Sequence, residues 1–255
     1  LVFQKNLLKI CYLGSIKKLF EGGKMKKLLT GNEAIAEGVI ESGVDVVTGY
    51  PGTPSTEVIL TLLPQEKELR IHIEWSVNEK VAFEIAAAAA WAGKRALVTM
   101  KMSGVNVIAD SLSSVAYSGC NGGLVIFVAD DPGVSAGMPE EDSRYYAKSM
   151  VVPMLDLASQ QECLDYAKVA FDISEKIGGP VFLRSTTEIA HVASDVVLGE
   201  KLNIKRKAHF ERDIVKYTKA GAAWCMAQHQ DTLNRLTEAS KIADNYISES
   251  GIKIN

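Results

Sequence analysis

One carboxylate in this sequence stands where proton chemistry could use it. Glu79 follows Asn78, a residue type suited to a helix N-cap, and opens a helical stretch whose body is Ala86-Ala87-Ala88-Ala89-Ala90. A glutamate in a first turn is ordinarily accounted for by the helix dipole. The alanine run needs its own reason, because five alanines form helix readily yet bury little area. Such a helix suits close backbone approach to a sheet or a partner. A carboxylate held at a subunit contact there would be partly desolvated and able to share a proton.

Other familiar chemistries lack their residues. There is no Gly-x-Gly-x-x-Gly, no Walker lysine motif and no Gly-x-Ser-x-Gly elbow. The turn Gly49-Tyr50-Pro51-Gly52-Thr53-Pro54 has two prolines where a phosphate cradle needs free N–H groups. His72, His191, His209 and His229 have no metal-ligand spacing and read as surface or packing residues. Cys11, Cys120, Cys163 and Cys225 are scattered, with no Cys-x-x-Cys, and read as reduced, inert thiols.

The elements that must position Glu79 alternate between two periods. Thr30-Gly31-Asn32-Glu33 is a capping box opening a helix that ends at Gly43. Strand-like 44–48 follows, then the Gly/Pro turn, then a helix capped by Ser55 and running to 63. A second strand over 70–75 leads to the Asn78-capped helix, which stops at Gly93. Apolar runs at 96–100, 124–129 and 180–184 are further strands, with helices over 105–117 and 160–177 between them. Strands alternating with helices imply βαβ units: an α/β fold, with a parallel sheet covered by helices on both faces. Ligands of such sheets bind beyond the strand carboxyl ends, here the loops 49–55, 76–79, 101–104 and 130–145.

The two ends differ from the middle. Residues 1–24 hold five lysines and one glutamate, net +4, against −7 over the rest. The stretch is a poor signal peptide, and a basic amphipathic helix at a membrane surface is one reading. The preferred one is that Glu21-Gly22-Gly23-Lys24, before Met25, reflects a purine-rich ribosome-binding stretch read as protein, so that 1–24 are a non-native leader and Met25 the start. From Glu211 to Ser248 the pattern turns helical, with Ile214, Tyr217, Ala220 and Trp224 at helical spacings and Trp224 and Met226 expected to pack. The expected organisation is a leader 1–24, an α/β domain 25–199, and a linker and helical segment 200–255. A net charge of −3, with 47% apolar and 23% charged residues, is that of a soluble globular protein without a nucleic-acid footprint. No membrane partner and a cytoplasmic location are expected.

Three stretches together carry a resemblance. Gly49-Tyr50-Pro51-Gly52-Thr53-Pro54-Ser55-Thr56-Glu57, then Asn78-Glu79-Lys80 opening the alanine helix, then Thr99-Met100-Lys101-Met102-Ser103-Gly104 resemble the pyrimidine-binding domain of 2-oxoacid:ferredoxin oxidoreductases. Within that family the likeness is closest to the alpha subunit of the indolepyruvate type. It runs from Met25 to about Gly199 and more loosely through 211–243. The resemblance implies a thiamin diphosphate enzyme that converts an aryl 2-oxoacid, with coenzyme A, to an acyl-CoA and CO2, and passes electrons through iron–sulfur clusters to ferredoxin. It gives Glu79 the role of the glutamate bonded to the cofactor's aminopyrimidine ring, where sharing a proton prepares the cofactor for attack on the keto carbon.

The same resemblance assigns further residues. Thr53 matches a turn threonine that faces the substrate carboxylate, the alternative being an ordinary turn residue. Pro51, Thr53, Lys101, Met102 and Ser103 would lie beside the cofactor; Met102 either wedges against it or packs. The acidic stretch 130–144 is similar to a loop over the site's mouth. There Arg144 holds a carboxylate or pairs with Asp142, Glu140 or Glu141. The sequence also departs from the family, because no Gly-Asp-Gly for Mg2+ and no ferredoxin-like cysteine runs are present. Mg2+ and 4Fe-4S clusters would therefore belong to other parts. The expected partners are a diphosphate-binding domain or second copy, a beta subunit, ferredoxin and coenzyme A. The chain would be inactive alone. The alternatives are the pyrimidine subunit of a split 2-oxoacid decarboxylase of phosphonopyruvate or sulfopyruvate type, and a non-catalytic fragment.

Overall fold

A computed structural model describes residues 25–136 and 139–250, the last six by backbone only. The leader reading of 1–24, with Cys11, lies outside the described residues. In chain order the elements are β1 (Lys26–Thr30), α1 (Gly31–Glu41), β2 (Val46–Gly49), α2 (Thr56–Leu62), α3 (Glu66–Leu69), β3 (His72–Trp75), α4 (Glu79–Trp91), β4 (Ala96–Lys101), α5 (Met102–Ser118), β5 (Leu124–Asp130), α6 (Ser143–Ser149), β6 (Met154–Asp156), α7 (Gln160–Ile177), β7 (Val181–Thr186), α8 (Thr187–His191), β8 (Ala193–Val197), α9 (Ile214–Tyr217) and α10 (Ala222–Ser250).

Six strands form one sheet in the order β3-β2-β4-β5-β7-β6, and every neighbouring pair is parallel. The side-chain period of two divides each central strand between two cores. On β5, Val125, Phe127 and Ala129 join the core that contains residues of α1, α2 and α7, while Leu124, Ile126 and Val128 join the one with α4 and α5. Burying a phenylalanine such as Phe127 or Phe182 completely contributes roughly 1.5–3 kcal/mol. The alanine helix acts as its composition suggests. Ala82, Ala86, Ala87 and Ala90 are buried, and the Thr48 hydroxyl on β2 donates to the Ala82 carbonyl at 2.7 Å, tying α4 close to the sheet.

Local signals place the helix ends. Thr30 and Glu33 form the reciprocal capping box of α1. Asn78 caps α4 by accepting the Val81 N–H at 2.9 Å. Ser159 caps α7, which stops at Gly178 in the left-handed conformation, φ 63°.

Four expectations differ from the structure. Residues 101–104 are not a loop, because β4 runs to Lys101 and α5 starts at once, so Met102 and Ser103 stand in its first turn. Ser55 stands at the N-cap of α2 without capping it; its hydroxyl instead donates to the Gly52 carbonyl at 2.8 Å, inside the turn. The helical pattern after 211 is interrupted between α9 and α10. Trp224 and Met226 are exposed, Met226 to 72%. The buried positions of α10 begin at Gln228 and continue through Thr232, Ala239, Ile242 and Ala243. Two elements had no sequence signal: the three-residue edge strand β6, and the antiparallel ribbon of β1 with β8, which joins Lys26 to Val197.

The segment after β8 crosses the amino end of the sheet. Arg206 donates to the Gly43 carbonyl at 2.7 Å and pairs with Asp45. Beside it Arg95, 4% exposed, pairs with Asp172 and Glu175 at 2.7 Å and donates to the Ser42 carbonyl.

Candidate functional site

At the opposite, carboxyl end of the strands the sequence-predicted residues come together in part. The turn 49–55 after β2 closes on itself: the Ser55 N–H donates to the Gly52 carbonyl at 2.8 Å and the Gly52 N–H donates to the Thr56 hydroxyl at 2.9 Å. Asn32, fully buried on α1, donates from its amide to the Pro54 carbonyl at 2.7 Å and to Glu57 at 3.0 Å. The Thr53–Pro54 bond is cis, Pro54 is buried, and Pro51 and Thr53 are exposed. The Lys101 stem runs along this turn. A Cβ on Gly52 would meet its Cγ and Cδ at 3.1 Å.

Glu79 is half-buried at the head of α4, and no group among the described residues hydrogen-bonds its carboxylate. Its side chain lies against Gly104, on the first turn of α5: a Cβ there would meet Glu79 Cγ at 2.7 Å and Oε1 at 3.0 Å. Ser103 is half-buried next to that glycine, whereas Met102 is 1% exposed and its sulfur accepts the Asp131 N–H at 3.2 Å. Met102 therefore packs beneath the turn of α5 within this chain.

The strand ends beyond Met102 carry buried charge. Asp130, 1% exposed, accepts Arg184 Nε at 2.7 Å and the Ser143 N–H at 3.1 Å through Oδ2, and Arg184 reaches Asp156 at 2.7 Å. Burial pushes the Asp130 carboxyl above the usual range, against the opposing pull of the Arg184 guanidinium. For Asp131 burial also works upward, but hydrogen bonds from the Thr187 and Ser135 hydroxyls and from the Ala136 and Ser135 N–H groups prevail and hold it at about 2. These bonds fold the start of the loop 130–142 onto β5. Arg144 is turned onto Asp142, which accepts from Nη2 at 2.6 Å and from Nε at 2.8 Å; the Arg144 hydrogen bond lowers the Asp142 carboxyl below its ordinary value. Of the sequence alternatives for Arg144, the pairing with Asp142 is the one formed.

Three participants escaped the sequence reading. Asn32 and Arg184 act through partners 22 and 54 positions away and belong to no functional residue pattern, while Gly104, which ends the Thr99–Gly104 stretch, acts through the room it leaves for Glu79, 25 positions away. A signal for Gly104 did exist, because a glycine in a helical turn is unfavourable unless room demands it. Among the described residues no cluster of three His, Cys, Asp or Glu residues gathers as a metal site, and no helix is long and apolar enough to cross a membrane.

A parallel sheet between helical layers, followed by a C-terminal helix, matches the fold of the 2-oxoacid:ferredoxin oxidoreductase class. The family described as pyruvate flavodoxin/ferredoxin oxidoreductase, thiamin diphosphate-binding, matches residues 37–247, and the chain belongs to it. In particular, it is similar to the indolepyruvate oxidoreductase subunit IorA of Archaeoglobus fulgidus, 46% identical over 212 residues, which cover 80% of this chain and 34% of that one. The IorA subunit of Pyrococcus abyssi is 49% identical over 173 residues, 68% of this chain and 27% of the relative. The chain thus spans about a third of the length of these curated relatives. A solved structure of 2-oxoglutarate:ferredoxin oxidoreductase from Magnetococcus marinus, with 2-oxoglutarate, coenzyme A and succinyl-CoA bound, shares the fold with a TM-score of 0.70 at 16% identity. The match covers 86% of this chain and 46% of that one.

Proposed function

We propose that this chain supplies the pyrimidine-binding half of an oxidoreductase that decarboxylates an aryl, indolepyruvate-like 2-oxoacid to an acyl-CoA and reduces ferredoxin. Residues 25–199 form the binding domain, 200–255 lead toward a diphosphate-binding domain, and the chain is inactive alone, in the cytoplasm. The observation that carries this reading is the Glu79 carboxylate, unengaged by the described residues at the carboxyl edge of the sheet and set against a glycine. The residues fit half of thiamin diphosphate: a carboxylate for a ring nitrogen, unengaged by the described residues and seated in the room that Gly104 leaves by lacking a Cβ. The other half, Mg2+ and the 4Fe-4S clusters belong to partners, namely a diphosphate-binding domain or second copy of the chain and a beta subunit.

When bound, thiamin diphosphate supplies a nucleophilic carbon and an electron sink for decarboxylation. The protein's own groups do the rest. Glu79 holds a proton between its carboxylate and the ring nitrogen, a role that favours the low-dielectric edge of a domain contact. Pro51, Lys101 and Ser103 line the cofactor's side, with Met102 as the buried floor beneath them. The Thr53 hydroxyl donates to the substrate carboxylate. Arg144, exchanging Asp142 for that carboxylate, adds a charge-assisted bond from the loop over the mouth. The loop excludes water from the reacting carbon.

The test is reconstitution with a diphosphate-binding partner and beta subunit, assayed with indolepyruvate, coenzyme A and ferredoxin. Acyl-CoA formation with ferredoxin reduced is the expected result. Decarboxylation without ferredoxin reduction would make the chain part of a split decarboxylase instead, and no reaction with any 2-oxoacid would leave it a non-catalytic fragment.

A further inference from the structure

We infer that Gly104 is a positioning residue for Glu79, and that its missing Cβ is the space in which the carboxylate is held. The inference rests on the reading of Glu79 given above and extends it to a residue with no chemistry of its own.

Nothing in the backbone asks for glycine at this position. Gly104 lies in the first turn of α5 without a positive φ, so any L-residue fits its conformation. Alanine there would favour helix by about 1 kcal/mol. Space is the remaining reason, and the atoms that fill it are specific. The three nearest to a Cβ would be Glu79 Cγ at 2.7 Å, Met100 Cβ at 2.9 Å and Glu79 Oε1 at 3.0 Å. Glycines elsewhere in the molecule press on structure instead: Gly38 on the Leu164 carbonyl and Ala167, Gly122 on the backbone of Gly93 and Lys94. Only at Gly104, among the described glycines, do two of the three atoms belong to the side chain of a glutamate in the candidate site whose carboxylate no described residue engages.

Glu79 cannot retreat by moving its helix. The Asn78 cap, the Thr48 bond to Ala82, and the buried Ala82, Phe83 and Ala86 fix the first turns of α4 against the sheet. A methyl at position 104 therefore forces rotation about the Glu79 side-chain bonds, swinging Cγ and the carboxylate off their present line, while Met100 Cβ, at 2.9 Å, has to yield only about a tenth of an ångström to reach 3.0 Å. Activity would fall through a displaced proton-holding group, with the substrate contacts of Thr53 and Arg144 untouched.

The experiment uses the full chain without cofactor, so its outcome is independent of whether the thiamin reading holds, which turnover of a Glu79 variant decides separately. In Gly104→Ala, the Glu79 side-chain carboxyl 13C resonance, assigned by its loss in Glu79→Gln, is expected to shift, while that of Glu84 on the same helix stays. An unmoved Glu79 resonance overturns the inference. Should Gly104→Ala fail to fold, the double variant Glu79→Ala, Gly104→Ala decides: folding restored supports the inference, because Cγ is gone, and folding not restored overturns it, because Met100 is then the obstacle.

Discussion

Replacing Arg184 by methionine keeps the side-chain volume and removes the cation beneath the loop 130–142. Arg184 is 6% exposed and Asp130 1%, and their 2.7 Å pair has no solvent to replace it. Removing one member of a buried pair typically costs about 3–5 kcal/mol, because the other charge stays behind unpaired. The second partner, Asp156, keeps 22% of its side chain exposed and adds less than about 1 kcal/mol. The expected loss is about 4 kcal/mol near pH 7.5, a fall in the urea midpoint of roughly 1 M or more. The loss must also depend on pH with a definite sign. Burial already holds the Asp130 carboxyl above its unfolded value, and without the guanidinium it rises further. An acid with a raised folded pKa costs stability as pH climbs above its unfolded value of about 4. The deficit of Arg184→Met therefore opens as pH climbs past the parent's own raised Asp130 value and nearly closes at the acid end, where the carboxyl is protonated in both. Adding Asp130→Asn should recover more than half of it at pH 7.5. Urea titrations of parent, single and double variants at pH 4.5 and 7.5 measure this. An equal deficit at both pH values, with no recovery in the double variant, would refute the reasoning.

Two further outcomes follow from groups whose surroundings shift their titration. Burial pushes the Cys120 thiol up to about 11 and the Cys163 thiol to about 12, while Cys225 is half-exposed; with peptide mapping to separate Cys11, iodoacetamide at pH 8 should label Cys225 and reach Cys120 and Cys163 only after denaturation, and alkylation of these three at one rate would contradict the packing. Asp131, held at about 2 in the fold against an unfolded value near 4, contributes stability that is fully present above pH 4 and lost as pH falls through 2. Thermal unfolding of Asp131→Asn should fall below the parent at pH 7 and converge with it toward pH 2; a gap that is constant across that window would mean the loop does not depend on this carboxylate.

Elements with a local physical signature were legible in the sequence. Helix α7 reads correctly over Gln160–Ile177 because a serine cap, a periodic apolar face and a left-handed glycine stop all lie within it or one residue beyond. The same holds for α1 and α4, whose caps at Thr30 and Asn78 are short-range hydrogen bonds. Pairings across the chain left no such trace. The β1–β8 ribbon joins residues about 170 positions apart, and neither strand buries enough alternating surface to show its period. The start of α5 was missed because no capping side chain marks it: Lys101 at its N-cap makes no side-chain bond, and the strand turns directly into the helix. In the candidate site, Glu79 stood out by type and place. Gly104 was visible as a letter and invisible as a space, and the Asp130–Arg184 pair exists only once β5 and β7 lie side by side.

The proposed function turns on the Glu79 carboxylate, and turnover of the assembled enzyme carrying Glu79→Gln measures its part most directly. The amide is nearly isosteric and cannot hold the proton. The variant chain should fold with the parent's urea midpoint and assemble normally, while ferredoxin reduction with the 2-oxoacid falls by about 100-fold or more, the scale of a lost proton-transfer group. Normal turnover in a folded, assembled Glu79→Gln enzyme would contradict this role of Glu79.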